Sequence, residues 1–144
     1  MSELSEMNRN NVRKLYEQGW GAGNIDVFPE VFHEHHVVHW NDTPKTDQER
    51  SVHEVMRFAR AYRYAFPDLT VSIDNLVADD DYVAVQVTYR GTHEHEYEGF
   101  QPTMKKSAFT DIQILYMKSG KIAEVNLASG GLEYFFRILD GSVL

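Results

Sequence analysis

The sequence predicts one α+β domain, because two kinds of hydrophobic periodicity follow each other along the chain. Before Pro67 most apolar residues recur at the three- and four-residue spacing of amphipathic helices. After Pro67 they alternate with polar residues, as in half-buried strands. Helices followed by strands with short turns favour a mainly antiparallel sheet over alternating β-α units. The length of 144 residues fits a single domain over residues 1–144.

Helices are predicted over residues 4–20, 26–33 and 52–66, and a last one over residues 132–139. The third is the most regular, since its apolar residues form a wide stripe and Pro67 stops it. Strands are predicted from alternation and from intervening turns, at residues 36–40, 71–77, 83–89, 111–116 and 122–128. A polar loop is expected at 41–47.

Charge and composition exclude several classes of function. The net charge of −8 disfavours binding to a phosphate backbone, so no nucleic-acid partner is expected. The chain has no cysteine, which rules out disulfides and thiolate metal sites within it. No apolar run reaches the length of a membrane span, and the first residues do not read as a secretory signal. We therefore expect a cytoplasmic protein without membrane contact.

Several short segments resemble, in the same order, those of the SnoaL-like polyketide cyclase or ester cyclase family. The segments are Leu15-Tyr16-Glu17, Gly23-Asn24-Ile25-Asp26, Phe66-Pro67-Asp68-Leu69-Thr70-Val71, Tyr89-Arg90-Gly91-Thr92-His93, Gly99-Phe100-Gln101-Pro102-Thr103, Asp111-Ile112 and Gly120-Lys121-Ile122-Ala123-Glu124. Each is short, but together they extend over nearly the whole chain. The chain is therefore identified as similar to this family.

The resemblance implies a nuclear-transport-factor-type fold. In this fold a central pocket is surrounded by a cone-shaped, curved antiparallel sheet and N-terminal helices. Together these elements form a cone-shaped α+β barrel. It also implies a small hydrophobic molecule as partner, and the family's cyclisation by an intramolecular aldol reaction without metal or organic cofactor. There a carboxylate acts as general acid and base. A homodimer is expected too, because both faces of the predicted sheet are too apolar for water.

One departure from the family concerns its acid/base aspartate. The family's cyclases have this aspartate just after the last strand, in a segment similar to "E-x-W-x-x-x-D". The resembling segment of this chain has Asn126 in place of the tryptophan and Gly130 in place of the aspartate. We therefore expect the usual carboxylate to be absent. Asp111 is the nearest remaining one, and His39 and His93 match positions of the family pattern. These three residues are the catalytic candidates.

The candidate ligand-binding residues are aromatic or neutral polar side chains predicted to face the pocket. They are Tyr16, Trp20, Phe58, Tyr62, Phe109, Gln113 and Asn126. Asp111 and Gln113 share one strand face, and we expect Asn126 to face them from the next strand.

Three hypotheses for function follow from these residues. The first is an enzyme that acts on a hydrophobic carbonyl compound by acid–base chemistry, as a cyclase, isomerase or lyase. The second is a non-catalytic domain that binds a small hydrophobic ligand. The third, a metal-dependent enzyme using the histidine-rich segments 33–39 and 93–98, is less favoured, because the expected helix end at His33 separates the first histidines and the second segment is too closely spaced. No metal site is predicted.

Overall fold

The computed structural model describes residues 2–40 and 47–128, and within them helices pack on a six-stranded sheet, which confirms the α+β class. No helix in this part of the chain is both long and apolar enough to cross a membrane. The elements are α1 (Glu3–Lys14), α2 (Phe28–Val31), α3 (Val52–Ala65), β1 (Phe32–Trp40), β2 (Gln48–Ser51), β3 (Thr70–Ala78), β4 (Tyr82–Thr92), β5 (Lys106–Lys118) and β6 (Lys121–Ala128).

The strand order is β2-β1-β6-β5-β4-β3, so the sheet is open, with β2 and β3 at its edges, and is not a closed barrel. The strands β3 to β6 form an antiparallel meander, as the alternation predicts. However, β1 pairs with β6 in parallel. The expected antiparallel sheet is therefore corrected to a mixed one, because β1 joins the meander at its far edge rather than through a hairpin.

Helix α1 holds the two hairpin turns of the meander. The Asn8 side chain donates to the carbonyl oxygens of Asp79 and Asp80, at 3.1 and 3.0 Å, in the β3–β4 turn. The Asn11 side chain donates to the Gly120 carbonyl in the β5–β6 turn, at 2.6 Å. Asn8 is fully buried, so these bonds are shielded from water. Both turns lie at the same end of the sheet, since Tyr82 pairs with Tyr116, so the helix fixes that end of the strands that carry the candidate site.

The first predicted helix is not uniform. After α1 the chain continues as a π-helix over Leu15–Gly21, in which the wider turn replaces the α-helical one. At its end the Arg63 guanidinium donates to the carbonyl oxygens of Trp20 and Gly21, the second at 3.0 Å. Tyr16 and Trp20 lie on this segment and are both buried.

The boundaries of the other elements differ from prediction in several places; α2 ends at Val31 rather than at His33, and β5 begins at Lys106 rather than at 111. Helix α3 is confirmed and begins with a capping box between Ser51 and Glu54. Strand β1 begins at Phe32, so His33 belongs to the strand and not to a helix end. The short edge strand β2 was not predicted, since Gln48–Ser51 has no apolar alternation. The helix predicted at 132–139 lies outside the described residues.

Within residues 2–40 and 47–128, the sheet has an inner face covered by the helices and an outer face on which none of these helices packs. Residues with odd numbers in β4 and β5 point inward; Val83, Val85 and Leu115 among them are at most 2% exposed. Residues with even numbers point outward, and Ile112 and Ile114 are 52% and 48% exposed. The core therefore lies between the inner face and the helices.

Candidate functional site

A buried carboxylate lies on the inner face of the sheet. Asp111, near the middle of β5, pairs with Val87 on β4 and is only 8% exposed. The hydroxyl of Tyr89, two residues further along β4, donates a hydrogen bond to this carboxylate. A carboxylate enclosed by protein is costly unless it has such partners. The hydrogen bond from Tyr89 therefore offsets part of the cost of burying the Asp111 carboxylate.

This carboxylate contributes to raised pKa values of three tyrosine hydroxyls. Burial raises the pKa of Tyr16, Tyr62 and Tyr89, and the negative charge of Asp111 raises each of them further. For Tyr62 the neighbouring Tyr97 contributes as well. A phenol with a raised pKa stays protonated at neutral pH and keeps its O–H as a donor. The site therefore combines one carboxylate with several neutral O–H groups.

An amide lies beside the carboxylate on the same strand face. The Tyr16 hydroxyl donates to Oε1 of Gln113 at 2.8 Å, across the gap between the π-helix and β5. Gln113 is two residues from Asp111, so both side chains point inward. Its amide nitrogen carries two N–H donors of the kind that suit a carbonyl oxygen.

Aromatic rings enclose this polar group. Trp20 lies within 5.6 to 6.3 Å of the rings of Phe28, Phe58, Tyr62 and Tyr89. Phe109 stacks on Tyr89 with 4.8 Å between ring centroids and also contacts Tyr62. Flat, apolar walls with few polar groups are typical of sites for small organic molecules.

The structure therefore brings together most of the predicted residues, and Asn126 is an exception. Asn126 pairs with Ile114 on β5, so its side chain lies on the outer face, opposite to Asp111 and Gln113. The expectation that it faces them is corrected by the strand register, because a shift of one residue reverses the face.

His39 also lies on the outer face. Its Nδ1 is 2.9 Å from Oδ2 of Asp47, and its Nε2 is 3.3 Å from Oε1 of Glu124. The hydrogen bond to Asp47, supported by Glu124, raises the pKa of His39. The structure does not bring this histidine to Asp111, because its partner in the parallel pairing, Asn126, points outward too.

His93 is on the inner side but at the far end of β4. It follows Val87, the partner of Asp111, by six residues, and a strand of that length spans about 20 Å. The imidazole is fully buried and stacks on Phe66, with 5.2 Å between ring centroids. Its Nδ1 is 3.3 Å from Oγ1 of Thr103. Burial lowers its pKa.

Two inner-face residues were not predicted as site residues. Tyr89 bonds to Asp111, and its alternation with Val83, Val85 and Val87 was the signal that could have placed it inside. His36 on β1 is 3% exposed, and its ring lies 4.8 Å from that of Phe32. Burial, opposed by the backbone at His33, lowers the pKa of His36 to about 4.

The histidine-rich segments do not converge in the described residues. No group of three or more histidine, aspartate or glutamate side chains within residues 2–40 and 47–128 has a metal-binding arrangement. His33 bonds through Nε2 to the carbonyl of Lys118, at 2.7 Å, and His95 stacks on Tyr64. The described part of the chain therefore offers acid–base groups rather than a set of metal ligands.

Solved structures with the same fold are numerous. A candidate SnoaL-like polyketide cyclase from Jannaschia sp. CCS1 is 21% identical, with a TM-score of 0.81 over 97% of this chain and 96% of its own. IdmH, a candidate polyketide cyclase from Streptomyces antibioticus, is 22% identical, with a TM-score of 0.72 over 94% and 99%. AclR, a candidate hydroxylase from Streptomyces galilaeus, is 20% identical, with a TM-score of 0.79 over 96% and 83%. At these identities the likeness shows the fold.

A comparison with curated proteins found no match. The family comparison is decisive, since the SnoaL-like polyketide cyclase model matches residues 10–129. That range contains all the described strands and the whole Asp111 site. The chain belongs to the SnoaL-like polyketide cyclase family.

Proposed function

We propose that the inner face binds a small hydrophobic carbonyl compound and transforms it by acid–base chemistry, as a cyclase, isomerase or lyase. The observation that carries the proposal is the buried Asp111 carboxylate among protonated phenols. A carboxylate in an enclosed site can accept a proton from a carbon next to a carbonyl, provided that donors receive the charge that develops on the oxygen.

The proposed step moves one proton. Asp111 takes a proton from the carbon next to the carbonyl, and the electron pair of that C–H bond becomes the enolate. The N–H groups of Gln113 stabilise the enolate oxygen, while Tyr16 holds the amide in place at 2.8 Å. The protonated Asp111 then returns the proton, either to carbon in an isomerisation or to the alkoxide of an aldol product. This sequence requires no metal or organic cofactor.

The aromatic walls support an apolar substrate. Trp20, Tyr62 and Phe109 would hold a flat or chain-like molecule against the carboxylate and keep water away from it. Of the three similar structures reported above, two are candidate polyketide cyclases and AclR is a candidate hydroxylase. Because a fold can host more than one chemistry, the proposed reaction rests on Asp111 and not on the fold.

The test is exchange of carbon-bound protons in D2O. A panel of ketones and 3-oxo esters is incubated with the protein, and loss of the proton next to the carbonyl is followed by NMR and corrected for the buffer rate. We expect the native protein to accelerate exchange for at least one of them. Asp111→Asn should lower that rate by roughly 100-fold or more, the usual contribution of a positioned base.

Glu124→Gln is the matched control, because it makes the same change of carboxylate to amide on the outer face. Its exchange rate should equal that of the native protein. The proposal is rejected if no compound exchanges faster than in buffer, or if Asp111→Asn keeps the native rate.

A second candidate function is binding without catalysis. It is favoured by the neutral pair of Tyr16 and Gln113, which can bind a ligand oxygen without any proton transfer, and by Gly130, which replaces the family's aspartate. Saturable quenching of tryptophan fluorescence by a ketone that never exchanges its protons would select this alternative.

We also propose that the protein forms a homodimer through the outer face. Apolar side chains are exposed there on three neighbouring strands: Val77, Tyr82, Ile112 and Ile114 are between 47% and 69% exposed. An apolar patch of this kind usually marks an association surface. A second copy is the natural occupant, since the patch can pair with itself about a two-fold axis.

A further inference from the structure

The loop that joins β4 to β5, residues 93–105, sends one aromatic side chain into the core. Most of its residues are exposed, but Tyr97 is only 3% exposed. Tyr97 and Phe100 exchange backbone hydrogen bonds of 3.0 and 2.8 Å, around Glu98 and Gly99. Both turn residues have positive φ, 50° and 85°, which gives a tight two-residue turn. Tyr97 and Phe100 are thus a cross-strand pair, whose side chains share one side of the turn.

Tyr97 meets the aromatic wall of the candidate site. Its ring lies 5.6 Å from that of Tyr62 and 5.9 Å from that of Phe58, nearly perpendicular to both. Tyr62 in turn contacts Tyr89, which donates to Asp111. Tyr97 therefore contacts the aromatic wall directly at Tyr62, and only the Tyr62 ring lies between it and Tyr89.

The base of the loop is fixed to the end of α3. The backbone N–H groups of Glu94 and His95 both donate to the Ala65 carbonyl, at 2.9 and 3.3 Å. His93 forms a pair of backbone bonds across the loop, to Lys105 at 3.1 Å and from Met104 at 2.8 Å.

The His93 ring strengthens this attachment. It is fully buried between the loop and α3, stacks on Phe66 and approaches Thr103. A rigid base of this kind determines where the tip of the loop, with Tyr97, can lie.

We propose that Tyr97 forms the end wall of the ligand site and limits the length of ligand that the site accepts, and that His93 positions it. This inference rests on the proposed function for the identity of the site, but it concerns binding and not proton transfer. Removal of the Tyr97 ring would open space between Tyr62, Phe58 and the loop. The ligand class that gains from this space is a carbonyl compound with a long alkyl chain.

The test measures binding by the fluorescence of Trp20, which contacts Phe58 and Tyr62. The chain has two tryptophans, so the variants are made in a Trp40→Phe background. The probes are methyl ketones of increasing chain length, from octanone to tridecanone. Tyr97→Ala should increase the affinity for the longest ketone, relative to that for the shortest, by about 10-fold or more. An apolar pocket discriminates by roughly this factor for small changes in ligand size.

Two variants serve as controls. Tyr97→Phe keeps the ring, so its affinity for the ketones should depend on their chain length as in the native protein; this dependence is called the length profile. Met104→Ala changes a side chain of the same loop that is 62% exposed, and should have no effect. If the profile of Tyr97→Ala equals the native one, or if no ketone binds to either protein, the inference is wrong.

The role of His93 has its own readout. His93→Ala should shift the length profile in the same direction as Tyr97→Ala, and Thr103→Val, which leaves the imidazole in place, should do so by less. Unchanged profiles in folded His93→Ala or in Thr103→Val would refute the positioning role. Loss of proton exchange in Asp111→Asn with an unchanged profile in Tyr97→Ala would reject this inference and leave the proposed function intact. The reverse result would reject the proposed function alone.

Discussion

The two faces of β5 carry opposite chemistry within one strand. Asp111 and Gln113 point to the inner face, and Asp111 is 8% exposed there, whereas Ile112 and Ile114 point outward and are about half exposed. A sheet with one face in water normally shows the reverse arrangement. This inversion is what the proposed ligand site on the inner face and the proposed association surface on the outer face would require.

The two faces of strand β1 also differ, as two of its histidines show. His36 points inward beside Phe32 and is 3% exposed, and its pKa is lowered. His39 points outward between Asp47 and Glu124, and its pKa is raised. The same residue type, three positions apart, thus responds in opposite directions to burial and to neighbouring carboxylates.

The largest expected effect in this comparison is that of His36 on acid stability. Its pKa falls from 6.5 to about 4, chiefly through burial, with Arg50 and His35 acting in the same direction and the His33 backbone and Glu54 against it. The unfolded chain therefore binds the proton more tightly, and stability is lost as pH falls from about 6.5 to about 4. The loss is about 3 kcal/mol at most.

Urea unfolding at several pH values and a fixed protein concentration measures this effect. His36→Leu should lose about 3 kcal/mol less than the native protein between about pH 7 and pH 4. His53→Gln, a change at an exposed histidine of α3 that does not act on His36, should behave like the native protein. If the free energy of unfolding changes equally with pH in the native protein and in His36→Leu, the inner face does not hold the His36 ring in its neutral form.

The next effect concerns the outer face. If it forms the dimer interface, Ile114→Lys should weaken association at least about 10-fold, because it places a charge in the centre of the apolar patch. Gln101→Lys adds the same charge on an exposed loop residue and should leave association unchanged. Light scattering at micromolar concentration decides between the outcomes, and a monomeric native protein would contradict the proposed dimer.

How far the sequence predicts this site depends on strand register. Alternation located β5 and made Asp111 and Gln113 neighbours on one face, which the structure confirms. It could not reveal the register between β5 and β6 or the parallel pairing of β1, and these place Asn126 and His39 outward. The first follows from an irregularity within the β5–β6 hairpin, where the register shifts by one residue between Tyr116 and Met117. The second follows from pairing between distant segments. Neither leaves a pattern in the local alternation.

The helical part shows the same limit. The spacing of Tyr16 and Trp20 predicted that both are buried, as they are. It did not predict the π-helix that aims Tyr16 at Gln113, because that widened turn is stabilised by Arg63 from α3, 42 residues beyond Gly21. Local periodicity thus located these residues on a buried face, while long-range contacts set their direction.

The smallest expected effect is that of His39, and its sign is opposite to that of His36. Because its folded pKa lies above 6.5, chiefly through Asp47, its stabilisation is present at acid pH and is lost as pH rises through the folded value. The ion pairs are partly exposed to water, with Asp47 at 67% and Glu124 at 43%. Solvent screening therefore limits the contribution to about 1 kcal/mol or less.

His39→Gln tests this sign. The native protein should be the more stable of the two at about pH 6, and the difference should vanish by about pH 9, where the imidazole is neutral in both states. Added salt should shrink the difference at the lower pH, because it screens exposed charges. A difference that grows with pH would mean that His39 is held as the neutral ring, as His36 is. The contrast between the two faces of β1 would then not hold.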